Sequence, residues 1–203
     1  MLTLGLYIRL SGFYLFYFAT LGVLLPYWGL YLQALGFDPA RIGELTAIPQ
    51  VTKLVAPNLW GWLADRSGWR MRTVRWACLA TGLSFAGIYA AGNSYLGLAL
   101  VGLLFSFFWN AALPQFEAVT INHLGENTDR YSQVRLWGSV GFIVAAVGVG
   151  FLVQDCGIGI VPASILGLFI VLWLNSLLVP DRLVAPLVQD ALPFGRVLRQ
   201  PAV

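Results

Sequence analysis

The sequence is poor in charge. Asp, Glu, Lys and Arg together make up 10% of its 203 residues, against roughly 25% in a soluble globular domain, which excludes an ordinary water-facing surface. Cysteine is scarce too. Cys78 and Cys156 have no metal-ligand spacing and are too few for a disulfide framework, so both read as small apolar residues. The single histidine, His123, cannot build a metal site alone, and neither a metal nor a cofactor is expected. There is no Gly-rich phosphate loop and no grouping of nucleophile, base and orienting residue, which argues against nucleotide-driven work and against an enzyme. The first apolar run is longer than a signal-peptide core and lacks a small-x-small cleavage site, so it reads as a span and not a leader.

What stands in place of charge is hydrocarbon. Hydrophobic residues make up 59% of the chain and the mean hydropathy is +0.77. A helix needs about 20 apolar residues to cross a bilayer core, and six stretches reach that length: 10–32, 42–64, 74–92, 95–121, 136–153 and 158–179. The expected fold is therefore an all-α membrane protein, a six-helix transmembrane domain over 1–180, with the lipid bilayer as its solvent. The polar, Pro-containing segment 181–203 reads as the start of a cytoplasmic linker.

The net charge of +3 is not a nucleic-acid footprint, because the basic residues lie in short connections between apolar runs. Connections after the second, fourth and sixth stretches hold Arg66, Arg70, Arg72, Arg75, Arg130, Arg182, Arg196 and Arg199, and Arg9 precedes the first. On the opposite side only Arg41 is clearly placed. By the positive-inside rule both ends of the chain are cytoplasmic, as in a multi-pass protein of the cell inner membrane. Tyr27, Trp28 and Tyr31 would then mark the outer interface, and Trp60, Trp62, Trp69 and Trp76 the inner one.

Polar side chains inside the apolar stretches are costly and are usually kept for function. The second stretch carries Thr46, Gln50, Lys53 and Trp60 on one helical face. The fourth carries Asn110 and Glu117, seven residues apart around Pro114. Arg135 opens the fifth, with Ser139 and Phe142 on its side, and the first offers Tyr7, Ser11, Tyr14 and Phe18. By contrast the third and sixth stretches hold no ionisable side chain. This division suits a bundle in which stretches one, two, four and five line a wet cavity. Plainer readings stand beside it: Lys53 snorkelling, Thr46 and Gln50 gluing helices together, Tyr14 and Phe18 as ordinary packing, and Glu117 with Arg135 as a purely structural ion pair.

The connection after the second stretch reads Gly61-Trp-Leu-Ala-Asp65-Arg66-Ser-Gly68-Trp-Arg70-Met-Arg72. It resembles the signature loop of the major facilitator superfamily at Gly61, Asp65, Arg66, Gly68 and Arg70; Trp69 departs from the pattern, where a basic residue is usual. A second stretch, with Pro114, Glu117, Arg130, Arg135, Gly138 and Gly141, is similar to the fourth and fifth helices of the branch that contains lactose permease and the phenylpropionate permeases. The resemblance implies the N-terminal half of a twelve-helix secondary transporter. It also implies a conformational latch loop at 61–70, and a C-terminal six-helix half beyond this chain as partner.

The expected function is a proton-coupled symporter of a small organic solute, such as an aromatic acid, a sugar or a nucleoside, working by alternating access. Its substrate and coupling residues would be Glu117, Arg135, Lys53, Asn110, Gln50, Tyr14 and Phe18. The alternative is a non-transporting six-span scaffold or assembly protein. The topology gives the first prediction. A reporter fused after Arg72 behaves as cytoplasmic and one fused within 92–94 as external, and the opposite pattern removes the loop assignment.

Overall fold

The computed structural model describes residues 3–181. These residues contain helices and no strand, as a bilayer requires, because only a helix or a closed barrel satisfies its own backbone polar groups without water. The helices are α1 (Leu4–Ala34), α2 (Pro39–Ser67), α3 (Arg70–Ala86), α4 (Ile88–Ala91), α5 (Tyr95–Leu124), α6 (Tyr131–Cys156) and α7 (Val161–Leu178). The expected linker 181–203 lies outside the described residues beyond Asp181, and Arg182, Arg196 and Arg199 lie outside them entirely.

All six expected spans correspond to helical segments, with three adjustments. The third is broken: Gly87 turns its N–H back to the Ser84 carbonyl at 3.2 Å, ending α3 and starting the short α4, and the pair together, Arg70–Ala91, is long and apolar enough to cross. The sixth begins with a tight turn over Ile158–Ile160 before α7. The third adjustment concerns α2, which matches its neighbours in length yet is not among the five helices apolar enough to cross by composition alone. Its residues Arg41, Glu44, Gln50, Lys53, Asn58, Asp65 and Arg66 lower its hydropathy, and Pro49 and Pro57 interrupt its backbone ladder. Within a bilayer a helix of this kind relies on its neighbours to satisfy its polar groups.

Helix starts and stops follow local chemistry. Asp38 caps α2 by accepting from the Ala40 and Arg41 amides at 3.0 and 3.1 Å. Ser94 caps α5 through the Gly97 amide at 3.2 Å, and Thr3 caps α1 through Leu6. Gly68 closes α2 with φ +70, a left-handed conformation that costs a side-chain-bearing residue more.

Two triplets of helices make the bundle. In one, α1 packs along α6 and α7; in the other, α5 packs along α2 and α3. They are joined by α3 against α7 and by a layer of rings between α1 and α5. Phe13 stacks on Phe116 with centroids 3.6 Å apart, and Tyr17 stacks on Trp109 at 4.9 Å. Phe85, Phe105 and Phe169 extend the layer toward α3 and α7. At one end of the bundle Arg75 donates to the Ser176 and Val179 carbonyls at 3.4 and 2.8 Å, closing the C-terminus of α7 with a cation. Trp60 is partly buried. It packs on Phe107 and Phe108 of α5, whereas Trp62, Trp69 and Trp76 are exposed.

The tightest contact is α1 against α6. A Cβ at Gly141 would meet the Leu15 carbonyl, and one at Gly22 the Phe142 carbonyl. Backbone thus touches backbone, the way helices associate in lipid, where no hydrophobic force draws them together. Tyr27 locks the same pair by donating to the Ala146 carbonyl at 2.7 Å. The second prediction follows from this contact. Gly141→Val destabilises the detergent-solubilised protein by about 1–3 kcal/mol, the cost of overpacking. Gly148→Ala, where a Cβ meets nothing within 4 Å, stays within about 0.5 kcal/mol. Equal effects in denaturant titrations would show that the close approach is not what holds the pair.

Candidate functional site

Glu117 on α5 and Arg135 on α6 flank the turn Thr128–Arg130, and the antiparallel helices bring them to one depth. Arg135 Nε lies 3.8 Å from Glu117 Oε1, with the side chains 32% and 36% exposed. That separation is an ion pair but is longer than an N–H···O hydrogen bond of 2.7–3.2 Å. The pair is therefore loose and reachable, with donors on Arg135 and acceptors on Glu117 to spare.

The guanidinium of Arg135 is held from below by rings of α1. Its central carbon sits 4.0 Å from the Phe18 ring centroid and 5.3 Å from that of Tyr14, within the range of cation–π attraction. Tyr14 in turn is immobilised. It is fully buried, its hydroxyl donates to Thr120 Oγ1 at 3.2 Å, and Phe116 and Tyr131 meet its ring edge to face. Gly138 makes room for this stack: a Cβ there would lie 2.8 Å from Phe18 Cδ2 and 3.0 Å from an Arg135 terminal nitrogen. Thr120 and Tyr131 were not singled out from the sequence. Their only signal was position, three residues after Glu117 and four before Arg135.

The remaining candidates are placed elsewhere. Asn110 is buried between α2 and α5, donating to the Pro49 carbonyl at 3.2 Å and to Thr52 Oγ1 at 3.0 Å. Thr52 donates on to Ser106 Oγ at 2.8 Å, and Ser106 to the Gly102 carbonyl. Although Asn110 and Glu117 share a helical side by spacing, α2 covers the first while Arg135 of α6 meets the second. Gln50 and Lys53 lie on the exposed side of α2. Neither is in contact with the Glu117–Arg135 pair, and Lys53 has no acid partner among the described residues.

The loop residues form their own cluster. Asp65 pairs with Arg70 across the helix end, Arg66 lies over the Trp62 ring at 5.5 Å, and Arg72 over Trp69 at 4.1 Å. Trp69, which departs from the resembled pattern, thus serves as a seat for a cation. Gly61 faces Gln115 of α5, where a Cβ would stand 3.6 Å from Gln115 Nε2, an ordinary contact.

Among known proteins, a family model described as the MFS_1 like family matches residues 7–190. The maltose permease of Geobacillus stearothermophilus is 31% identical over 141 residues, 69% of this chain and 36% of that protein. The probable 3-phenylpropionic acid transporter of Escherichia coli is 32% identical over 145 residues, 69% of this chain and 37% of its own length. The crystal structure of a D323A mutant of the nucleoside transporter NupG superimposes with a TM-score of 0.82 at 21% identity, covering 95% of this chain and 48% of that one. That last likeness speaks for the fold alone. The chain spans about half of the solved transporter, and its aligned part a little over a third of the curated relatives.

Proposed function

This chain belongs to the MFS_1 like family, and from that premise we propose that it supplies one half of a proton-coupled symporter for a small organic solute. The observation that carries the reading is the Arg135–Glu117 pair, loose and about one-third exposed, with Arg135 seated on the Phe18 and Tyr14 rings. Such a site can take a carboxylate or hydroxyl on Arg135, hydrogen bonds on Glu117 and an apolar body against the rings. An aromatic acid, a sugar and a nucleoside all present that combination. The names of the relatives, a maltose permease and a probable 3-phenylpropionic acid transporter, support this range of substrates.

The mechanism is alternating access. The long exposed faces of α2 and α6, where few residues are buried, are where a second six-helix half docks and rocks. A substrate that replaces Glu117 as the partner of Arg135 changes which conformation is favoured, because a ligand shifts an equilibrium only through differential contacts. The cluster of Gly61, Asp65, Arg66, Gly68 and Arg70 is the latch that holds one of those conformations. Both ends of the chain face the cytoplasm across the inner membrane, as the basic connections support. Asn110 keeps α2 registered on α5, and Gln50 and Lys53 face the second half or the solute.

The test of the site is Arg135→Lys, which keeps the charge but loses the planar fork, together with Glu117→Gln. Losing a hydrogen bond to a charged group is worth about 1.5–3 kcal/mol. Substrate affinity of the full-length transporter should therefore fall roughly tenfold to over a hundredfold, while the amount of folded protein in the membrane is unchanged. Normal binding and uptake by Arg135→Lys would reduce the pair to a structural ion pair. A further prediction concerns Lys53, the counter-charge of an anionic substrate or of a carboxylate on a facing helix. Lys53→Met abolishes binding of an acidic substrate and leaves the folded protein in the bilayer; unchanged binding returns Lys53 to a structural role.

A further inference from the structure

Over α1, between α6 and α7, the bundle has a hollow. Helices α6 and α7 are consecutive and joined only by the turn Ile158–Ile160, yet they do not pack along their length. They splay around α1 and leave a groove of about 630 Å³ between them. Its floor is Leu15, Phe16 and Ala19 of α1, and its walls come from Gly141, Ala145 and Gly148 of α6 and Gly167 of α7, among others. Small residues facing each other on neighbouring membrane helices usually bring the helices together. Here they widen a trough: a Cβ at Gly148 or Gly167 meets nothing within 4 Å.

The groove is apolar along its whole length. Its one hydroxyl, Ser164, is already committed, donating to the Ile160 carbonyl at 3.1 Å. Along α6 the lining runs from Gly141 to Leu152, which at 1.5 Å per residue is about 16 Å, close to half of a hydrocarbon core of about 30 Å. Its inner end lies where Gly141 presses on Leu15, and from there it runs toward the α6–α7 turn. One turn beyond Gly167 and Leu168 on the same side of α7, Val171 is exposed, surface that in a multi-pass membrane protein meets the bilayer.

We infer that this groove binds one acyl chain of a phospholipid from the leaflet adjoining the Ile158–Ile160 turn, with the terminal methyl reaching Leu15 and Gly141. Length and polarity carry the assignment. The groove is one leaflet deep, and it offers no free polar group that a headgroup or a polar solute would need. Interiors are close-packed, so a trough this size is matched by a flexible chain that can conform to it. The stripe Leu136, Val140, Ile143, Val147 and Phe151, also exposed on α6, lies on a different side of that helix by its spacing. The acyl chain and a docking partner for that stripe therefore do not compete.

The experiment reconstitutes the protein in vesicles of phosphatidylcholine carrying a diazirine at the end of one acyl chain, irradiates them and maps the adducts by mass spectrometry. The result expected is labelling concentrated on Leu15, Gly141 and Ala145 over the exposed Leu174 and Leu177 of α7. That labelling is lost in Gly148→Phe and in Gly167→Phe, which fill the trough where the backbone has room. It is retained in Leu174→Phe. Adducts spread evenly over the exposed apolar residues would overturn the inference, as would labelling indifferent to both filling variants, or cross-links from these residues to a polypeptide in place of lipid. Should a filling variant not purify as a monodisperse helical protein, the adduct map of the unaltered protein decides alone.

Discussion

The close approach of α1 to α6 is the contact on which the site depends. In lipid nothing drives two apolar helices together except the fit of their surfaces, and here Gly22 and Gly141 let that fit reach the backbone. Because α6 lies so near, the Arg135 guanidinium falls on the Phe18 and Tyr14 rings of α1 and does not extend into the apolar interior. Because Arg135 is held there, Glu117 on α5 has a counter-charge at its own depth. One steric condition thus sets an electrostatic arrangement.

The aromatic layer between α1 and α5 plays the complementary part. Stacked pairs such as Phe13 with Phe116 and Tyr17 with Trp109 span a wider gap between helix axes than glycine contacts would. They leave the α5–α6 side open enough for the ion pair to remain about one-third exposed. An ion pair sealed in that interior would be hard to exchange, since breaking it strands a buried charge. One left partly wet can give up a partner to a solute. The same bundle therefore combines a tight seam, a ring-filled seam and, between α6 and α7, a seam that never closes. Each is decided by the size of the residues that face across it.

The polar network of α2 with α5 has a different purpose. Pro49 and Pro57 weaken the backbone ladder of α2, and Asn110 donates to the Pro49 carbonyl while Thr52 and Ser106 link the two helices by their hydroxyls. Side-chain hydrogen bonds across membrane helices are worth only about 0.6 kcal/mol on average, so this network is better suited to fixing register than to adding stability. It explains how a helix that is not apolar enough to cross on its own composition keeps its place in the bundle.

Composition alone determined that this is a helical membrane protein, because the bilayer tolerates neither charge nor unsatisfied backbone, and both constraints can be counted residue by residue. Helix positions followed for the same reason, and the turn near Thr128–Arg130 with the matching level of Glu117 and Arg135 followed from helical rise. What composition could not decide was which neighbour covers each polar face. Asn110 and Glu117 share a side of α5 by periodicity, yet one is buried under α2 and the other meets Arg135, since coverage depends on how other helices cross. Nor could spacing tell that Trp60 packs onto α5 or that Gly87 breaks the third helical segment. The glycines of α6 read alike in one dimension. Only packing made Gly141 a backbone contact, Gly138 the seat of a cation and Gly148 the wall of a groove, because a missing side chain has meaning only through what stands opposite it.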